Sequence, residues 1–123
     1  IKQKSGVIIN IASIARAQGI GFSNLVHYCA PKGRIVGMSE ALALELAPYN
    51  IRVNSISPGI IDTSMVDPIR TLPKTMEGIL DRILLYRMGK PEEVDNLVCF
   101  LASDTSPYMT GSNVVIDGAF LSV

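Results

Sequence analysis

The 123-residue sequence predicts an α/β fold in which strands and helices alternate around a parallel sheet. Residues 7–11 form an apolar run rich in β-branched side chains between Gly6 and Ala12-Ser13, as expected for a central parallel strand buried on both faces. Segments with helical periodicity separate this run from two further strand candidates. The predicted order is strand, helix, strand, lid, helix, strand.

A long helix is expected after the first strand and a glycine-containing loop at residues 14–23. Ser23 is a candidate N-cap, and the helix should end near Pro48. Its apolar residues form two stripes. One stripe can cover the sheet, whereas the other contains small residues and indicates either burial within the domain or a self-association face. The first stripe comprises Ile35, Met38, Leu42 and Leu46, and the second comprises Gly37, Ala41 and Leu44.

A second strand is predicted at residues 51–56, and Pro58-Gly59 ends it. Ligands bind beyond the carboxyl ends of parallel strands, so this turn is either an ordinary strand end or a ligand-facing loop. Residues 64–86, called the lid below, contain Pro68 and Pro73 and then apolar residues at helical spacing. These apolar side chains are either core or the lining of a hydrophobic substrate pocket.

The last third of the chain predicts one helix and one strand. Proline is tolerated in the first helical turn and carboxylates are favourable there, so Pro91, Glu92 and Glu93 indicate a helix start. Apolar residues then repeat with the spacing of one buried helix face, at Val94, Leu97, Val98 and Leu101. A third strand is predicted at Asn113 to Ile116, between the turns Thr110-Gly111 and Asp117-Gly118.

Composition excludes several classes of function. The chain is 48% hydrophobic, with 11 basic and 11 acidic residues, so it can form a core and has no charge excess that favours nucleic acid or an anionic membrane. No apolar run approaches the ~20 residues of a membrane span, and no export signal is recognisable. We therefore expect a cytoplasmic protein with no nucleic-acid or membrane partner. His27 is the only histidine, and Cys29 and Cys99 lack metal-ligand spacing, so no metal site is predicted.

Tyr28 and Lys32 form the strongest candidate site. Residues four apart on a helix lie on the same face, so the ammonium would lie beside the phenol. A free phenol ionises near pH ~10, and a nearby positive charge favours the phenolate. Tyr28 could then act as general acid toward a carbonyl oxygen or as general base toward an alcohol. Ser13, which follows the first strand, could donate a hydrogen bond to the same oxygen.

Six motifs in a fixed order resemble the short-chain dehydrogenase/reductase family, in particular its single-domain members. The resemblance extends from about Gly6 to Gly118, which is nearly the whole chain. Its segments are 7–11 with Ser13, 28–32, 41–47, 51–59 with 61–63, 87–93 and 110–118. It implies the C-terminal half of a Rossmann-like doubly wound parallel sheet. The motifs are similar to those of 3-oxoacyl-carrier-protein reductases and of glucose or polyol dehydrogenases.

The resemblance also implies a reaction. The protein would transfer a hydride between NAD(P)(H) and a small carbonyl or alcohol substrate. Tyr28 would donate or accept the proton, Ser13 would hold the substrate oxygen, and Lys32 would assist Tyr28 and bind the nicotinamide ribose. The lid would close over substrate, and the long helix would build a homodimer or homotetramer. The residues implied to bind NAD or NADP are Tyr28, Lys32, Pro58, Gly59, Ile61 and Thr63.

Two features depart from the family pattern. Pro31 stands where the family usually has serine, and proline inside a helix removes a backbone donor at a cost of ~3 kcal/mol, unless the helix begins late or kinks. The chain also contains no glycine-rich phosphate-binding turn followed ~20 residues later by an acidic residue. We therefore interpret residues 1–123 as a single partial domain, the catalytic half of a dinucleotide-binding fold without its N-terminal cofactor-binding half.

Two alternatives stay open. A truncated, non-catalytic oligomerisation module derived from such an enzyme would keep the long helix and lack turnover, although the intact Ser13, Tyr28 and Lys32 argue against it. A relative that uses the same tyrosine and lysine to epimerise nucleotide sugars is disfavoured. The short C-terminal part leaves little room for a larger substrate domain.

Overall fold

The computed structural model describes residues 1–16 and 26–122, which form a three-stranded parallel sheet covered by helices. Strand β1 spans Gly6–Ile11, β2 spans Ile51–Pro58 and β3 spans Asn113–Ile116. The order in the sheet is β1-β2-β3, and both strand pairs are parallel. This is the α/β, Rossmann-like arrangement that the sequence predicts. The loop glycines Gly19 and Gly21 and the candidate cap Ser23 lie outside the described residues.

Four α-helices occur within the described residues. The long helix α1 spans Val26–Leu46, and a 3-10 turn at Ala47–Tyr49 ends it close to the predicted Pro48. The lid contains two short helices, α2 at Asp67–Arg70 and α3 at Pro73–Leu80. Helix α4 spans Pro91–Ala102 and begins at the predicted residue. Single 3-10 turns lie at Ile14–Arg16, Ser64–Val66 and Phe120–Ser122.

Helices α1 and α4 lie on opposite faces of the sheet. Asn10 of β1 and its register partner Ser55 of β2 face the same side, and the Asn10 amide donates a 3.0 Å hydrogen bond to Ser39 Oγ on α1. Arg52 points to the other side because side chains alternate along a strand. Its guanidinium donates to the carbonyl oxygen of Leu101 in α4 at 2.9 Å. Cover on both faces is the rule for parallel sheets.

The prediction that the first strand is central is wrong for the described residues. There the middle strand is β2, whose residues 53–57 are all buried. Only one edge of β1 is paired, and Val7, Ile8 and Ile11 are 37%, 37% and 43% exposed. A β-branched run indicates a strand, but burial on both faces also requires neighbours that the run itself does not specify.

The buried side of α1 also differs from the predicted sheet-facing stripe. It is formed by Val36, Ser39 and Ala43, whereas Met38 of the predicted stripe is 47% exposed. A pattern of large apolar residues overlooks Ser39, which fits against the sheet because its hydroxyl is satisfied. It accepts from Asn10 and donates to the backbone oxygen one turn earlier. The predicted second stripe at Gly37, Ala41 and Leu44 is exposed.

An apolar cluster joins the lid to the end of the chain. Its buried members are Ile14, Ile79, Ile83 and Phe120. Ile14 directly follows Ser13, so the cluster packs the lid against the residue next to the candidate serine. The apolar spacing in the lid is therefore core packing at Ile79 and Ile83. Ile60, Ile69, Leu80 and Leu121 surround the cluster.

Arg52 ties β2 to the C-terminal end of α4. Its guanidinium donates to the backbone oxygens of Leu101 and Ser103, at 2.9 and 3.0 Å, and more weakly to Ser106 Oγ and the Met109 oxygen, both at 3.3 Å. The last carbonyl groups of a helix have no partner within the helix, and the helix dipole makes that end negative. Arg52 supplies both the hydrogen bonds and the positive charge that this end requires.

Candidate active site

The three strands end at one edge of the sheet, which brings the candidate residues together. Ala12 N donates to the Ile56 oxygen at 2.7 Å, and Gly59 N donates to the Ile116 oxygen at 2.9 Å. Ser13, Gly59 and Asp117 therefore follow neighbouring strand ends. The carboxyl edge of a parallel sheet is where α/β folds bind their ligands.

Ser13 is held in a fixed position but keeps hydrogen-bonding capacity. The residue is only 7% exposed, and its Oγ accepts a 3.1 Å hydrogen bond from the Ala15 N–H. A serine hydroxyl has one proton to donate and two lone pairs. Since Ala15 occupies only one lone pair, the Ser13 O–H can donate to an acceptor on a bound molecule.

Lys32 connects Tyr28 to the end of β1. Its Nζ lies 5.9 Å from the centroid of the Tyr28 ring and donates a 3.0 Å hydrogen bond to the Ile11 backbone oxygen. Ile11 is two residues before Ser13, so this bond brings α1 to the same strand end. Within residues 1–16 and 26–122, the Tyr28 hydroxyl makes no hydrogen bond.

Pro31 lies inside α1, between Tyr28 and Lys32 in sequence. It has no backbone N–H, so the His27 carbonyl oxygen lacks the donor that the fourth following residue normally supplies. The helix nevertheless continues to Leu46, and the ammonium of Lys32 stays beside the Tyr28 ring. The departure from the family pattern therefore leaves the proximity of the pair intact.

Gly59 occupies a position that no other residue fits without a backbone shift. A Cβ built on Gly59 would lie 2.7 Å from Asp117 Cα and 2.8 Å from Asp117 Cβ. Both atoms are close to the backbone, so they cannot rotate away. The absence of a side chain lets the turn after β2 pack directly on the turn after β3 and brings backbone groups to the ligand edge.

The segment after Gly59 is held by a short bridge to the loop before α4. Asp62 N donates to the Gly89 oxygen at 2.8 Å, and Gly89 N donates to the Ile60 oxygen at 2.9 Å. These two bonds make a parallel bridge between Ile61 and Gly89. Ile61 is partly buried and held by this bridge, whereas Thr63, two residues later, is exposed to solvent.

The loop that carries Gly89 is itself closed by an ion pair. Arg87 Nη1 and Nη2 donate to the two carboxylate oxygens of Glu93, each at 2.8 Å, and Lys90 N donates to Glu93 Oε2 at 2.7 Å. The hydrogen bond from Arg87, and after it the one from Lys90, lower the pKa of Glu93 from its ordinary value of 4.5 to about 2. The same pairing raises the pKa of Arg87.

The Arg87–Glu93 ion pair was not predicted from the sequence, although the position of Glu93 in its helix indicated one of its contacts. Glu93 is the third residue of α4, where a glutamate side chain can accept from the N–H of the residue before the helix. A second missed contact joins Arg70 of α2 to Asp62, with Asp67 Oδ1 also near Arg70 Nε at 3.2 Å. Arg70 thus ties the lid to the segment after Gly59.

Several groups that a ligand could use lie at the carboxyl edge of the sheet. The turn at Gly59 lies at this edge, Lys32 offers an ammonium and Thr63 is exposed. Behind the 59–63 segment lies a cavity of about 70 Å³, too small for a ring system.

A protein-family model and several known proteins match nearly the whole chain. The family model described as enoyl-(acyl carrier protein) reductase matches residues 1–120. The chain is similar to the 3-oxoacyl-[acyl-carrier-protein] reductase of Thermotoga maritima, with 44% identity over 122 residues that cover 98% of this chain and 48% of that protein.

Solved structures show the same similarity. A 4-hydroxyisoleucine dehydrogenase complexed with NADH superposes with a TM-score of 0.92 at 33% identity, over 99% of this chain and 50% of the other. A protein from Agrobacterium tumefaciens solved with bound NADP gives a TM-score of 0.93 at 32% identity, over 99% of this chain and 49% of the other. The chain spans about half the length of the curated relatives that it matches. Among residues 1–16 and 26–122, no helix has both the length and the apolar content to cross a membrane.

Proposed function

The chain belongs to the short-chain dehydrogenase/reductase family, and on this premise we propose that it is the catalytic half of an oxidoreductase acting on a carbonyl or alcohol. The observation that carries the proposal is the position of Lys32. Its ammonium contacts the Tyr28 ring and the Ile11 backbone oxygen, which gathers a phenol, a cation and the nearby Ser13 at the ligand edge of the sheet.

In the proposed reaction, Tyr28 moves the proton. Its hydroxyl gives its proton to the carbonyl oxygen during reduction, and its phenolate takes the proton of the alcohol during oxidation, while the positive charge of Lys32 stabilises that phenolate. The Ser13 O–H donates to the same substrate oxygen and fixes its position. The nicotinamide, when bound, supplies or accepts the hydride.

The cofactor proposed is NAD or NADP. Similar structures solved with NADH and with NADP support both. In this chain the nicotinamide end would be held by the side chains and turns that meet at the carboxyl edge of the sheet, namely Tyr28, Lys32, Pro58, Gly59, Ile61 and Thr63.

The domain organisation is a further part of the proposal. We place residues 1–123 in the C-terminal half of a dinucleotide-binding domain whose other half would hold the remainder of the cofactor. The chain covers 47–49% of the first curated relatives, which supports a partner half of similar size. A titration of NADH and NADPH fluorescence with the 123-residue chain and with any longer form compares their affinities directly.

A matched pair of tyrosine variants tests the proposed chemistry. Tyr28→Phe removes only the proton-carrying oxygen and should lower turnover by ~10²- to 10⁴-fold, the usual contribution of a general acid or base. Tyr108→Phe is the control, since Tyr108 is fully exposed, at 101%, and lies outside the candidate site. The assay follows consumption of NADH or NADPH with a panel of small ketones. Equal activity of the two variants would remove Tyr28 from the mechanism.

A second candidate function, self-association through α1, is favoured by one observation. The stripe of Gly37, Ala41 and Leu44 is exposed, and Leu44 is 81% exposed. An open groove of about 360 Å³ lies beside it, lined in part by Thr110 and Gly111. We propose that this face packs against a second copy of the chain in a homodimer or homotetramer, whether or not the protein is catalytic.

Analytical ultracentrifugation tests this interface. Leu44→Glu places a charge on the proposed contact and should dissociate the oligomer, whereas Glu45→Gln alters an exposed neighbour on the same helix and should not. An unchanged mass for both variants would exclude this face. Loss of the oligomer without loss of turnover would separate assembly from catalysis.

A further inference from the structure

We infer that Arg87 and Glu93 form a positioning pair that holds residues 60–62 in place for the nicotinamide end of the cofactor. The inference rests on the proposed function, because it assigns the pair a role in that same site. Neither residue is itself placed against substrate or cofactor. They act through Gly89 and the bridge that Gly89 makes.

The contacts form a continuous chain from the ion pair to the ligand edge. Glu93 receives both Arg87 donors and the Lys90 N–H, so its carboxylate closes the loop of residues 87–90. Gly89, inside that loop, exchanges two backbone hydrogen bonds with the 60–62 segment. The 60–62 segment begins one residue after Gly59, whose turn is fixed against Asp117. Backbone packing of Gly59 on Asp117 therefore fixes the start of the 60–62 segment. The ion pair fixes the rest through the hydrogen bonds of Gly89.

The bridge and the ion pair lie around the same small cavity. A Cβ on Gly89 would lie 2.7 Å from Ile61 Cδ1, so the Ile61 side chain packs directly on the Gly89 backbone. The cavity of about 70 Å³ behind them is lined by Ile61, Arg87 and Glu93 among others, so the bridge has no dense core behind it. The ion pair closes the loop at the surface, where the Arg87 and Glu93 side chains are 48% and 39% exposed, and its two parallel bonds add geometric specificity.

The expected signature is a change in cofactor affinity with little change in the chemical step. Without the pair, the 60–62 segment would populate its binding position for only a fraction of the time, and the apparent dissociation constant rises in inverse proportion to that fraction. Releasing one or two ordered residues shifts such an equilibrium by about 10-fold. Once cofactor binds, the segment regains its position, so kcat changes by less than about 2-fold.

Arg87→Met tests the ion pair alone, because it leaves the Glu93 carboxylate available to the Lys90 N–H. Arg87→Lys keeps the charge and loses the second hydrogen bond, so its effect should be intermediate. The control is Glu92→Gln, a neighbouring carboxylate that makes no hydrogen bond or ion pair to the described residues. All variants are compared in the form of the protein that binds cofactor.

Two readouts are required. Amide hydrogen exchange in the cofactor-free protein should become about 10-fold faster at Asp62 and Gly89 in Arg87→Met, while the Val53 N–H in β2 serves as an internal reference that should not change. The KM for NADH or NADPH should rise about 10-fold at nearly constant kcat. Faster exchange at Val53 as well would mean general destabilisation and would overturn the positioning role.

The outcomes separate this inference from the proposed function. If the wild-type protein neither binds nor uses a nicotinamide cofactor, both fall. If the wild-type protein turns over but Arg87→Met matches Glu92→Gln in exchange and in KM, the inference alone falls. Faster exchange at Asp62 and Gly89 together with a raised KM supports it.

Discussion

The two sides of β2 use polar side chains in different ways. On the β3 side, Asn54 both donates to the Met109 oxygen and accepts from Ser112 N, and Ser55 and Ser57 both donate to Asn113 Oδ1. On the β1 side, Ser13 Oγ accepts from the Ala15 N–H, but within residues 1–16 and 26–122 the Ser13 O–H has no acceptor and the Tyr28 hydroxyl makes no hydrogen bond. The polar side chains on the β3 side thus have their hydrogen-bond partners, whereas the two hydroxyls on the β1 side keep unused hydrogen-bonding capacity.

This difference indicates which polar groups hold the fold and which are available to a ligand. A buried polar group without a partner costs ~1–3 kcal/mol, so a chain saturates those groups that have no other task. Groups kept at the ligand edge with spare hydrogen-bonding capacity are stabilised when substrate or cofactor supplies the partner. Hydrogen-bond saturation therefore distinguishes Ser55 and Ser57, which hold the fold, from Ser13, whose O–H stays available.

The largest expected effect contrasts two buried serines. Ser13→Ala should lower turnover by ~10²- to 10³-fold, the effect of losing one donor to a reacting oxygen, and should also cost ~1 kcal/mol of stability because the buried Ala15 N–H loses its acceptor. Ser57→Ala should cost ~1 kcal/mol of stability through its lost bond to Asn113 but leave turnover within about 3-fold. Steady-state kinetics and urea unfolding on both variants make the test. Similar turnover in the two variants would break the comparison.

The next effect concerns stability alone. Arg52→Met should lower the free energy of unfolding by ~2–4 kcal/mol, because it removes a charged donor to four groups around the end of α4. Arg34→Met is the control, since Arg34 is exposed on α1 and makes no hydrogen bond to the described residues. Urea denaturation measures both. A loss of stability below ~1 kcal/mol for Arg52→Met would show that its hydrogen bonds around the end of α4 contribute less to stability than their number indicates.

The smallest expected effect concerns Gly59, which packs against Asp117 just beyond the ends of β2 and β3. Gly59→Ala forces a backbone shift and should cost ~1–3 kcal/mol of stability while weakening cofactor binding. Gly78→Ala is the control, because a Cβ at Gly78 in α3 meets no atom within 4 Å. It should stabilise the helix by ~0.5–1 kcal/mol. Thermal unfolding and a cofactor titration decide the outcome, and equal stabilities would contradict the close packing at Gly59.

Local patterns predicted much of the fold. The strand at Asn113–Ile116 and the first residue of α4 lie where β-branched runs and the Pro91-Glu92-Glu93 sequence place them. The strand β2 continues two residues past its prediction, because Ser57 and Pro58 pair with β3. Within residues 1–16 and 26–122 the first strand lies at the edge of the sheet and not at its predicted centre, since strand order depends on partners rather than on composition.

Within the candidate site, the sequence predicted only the proximity of residues that lie close together along the chain. The proximity of Tyr28 and Lys32 follows from one helical turn, and the structure places them together. The contacts of Lys32 with Ile11 and of Arg52 with α4 span 21 and 49 residues of sequence, so no local pattern contains them. The catalytic and cofactor-binding roles themselves stay predictions, to be decided by the variants above.

The outer edge of β1 influences how this chain behaves at high concentration. Among residues 1–16 and 26–122, no strand pairs with that edge, and Val7, Ile8 and Ile11 are partly open to water. An unpaired, apolar strand is a template for strands of other molecules and so favours intermolecular sheets and precipitation. Lys2 and Lys4 lie just before the strand, and their mutual repulsion between neighbouring molecules opposes such stacking. Aggregation of the isolated chain should therefore increase with ionic strength, as salt screens these charges.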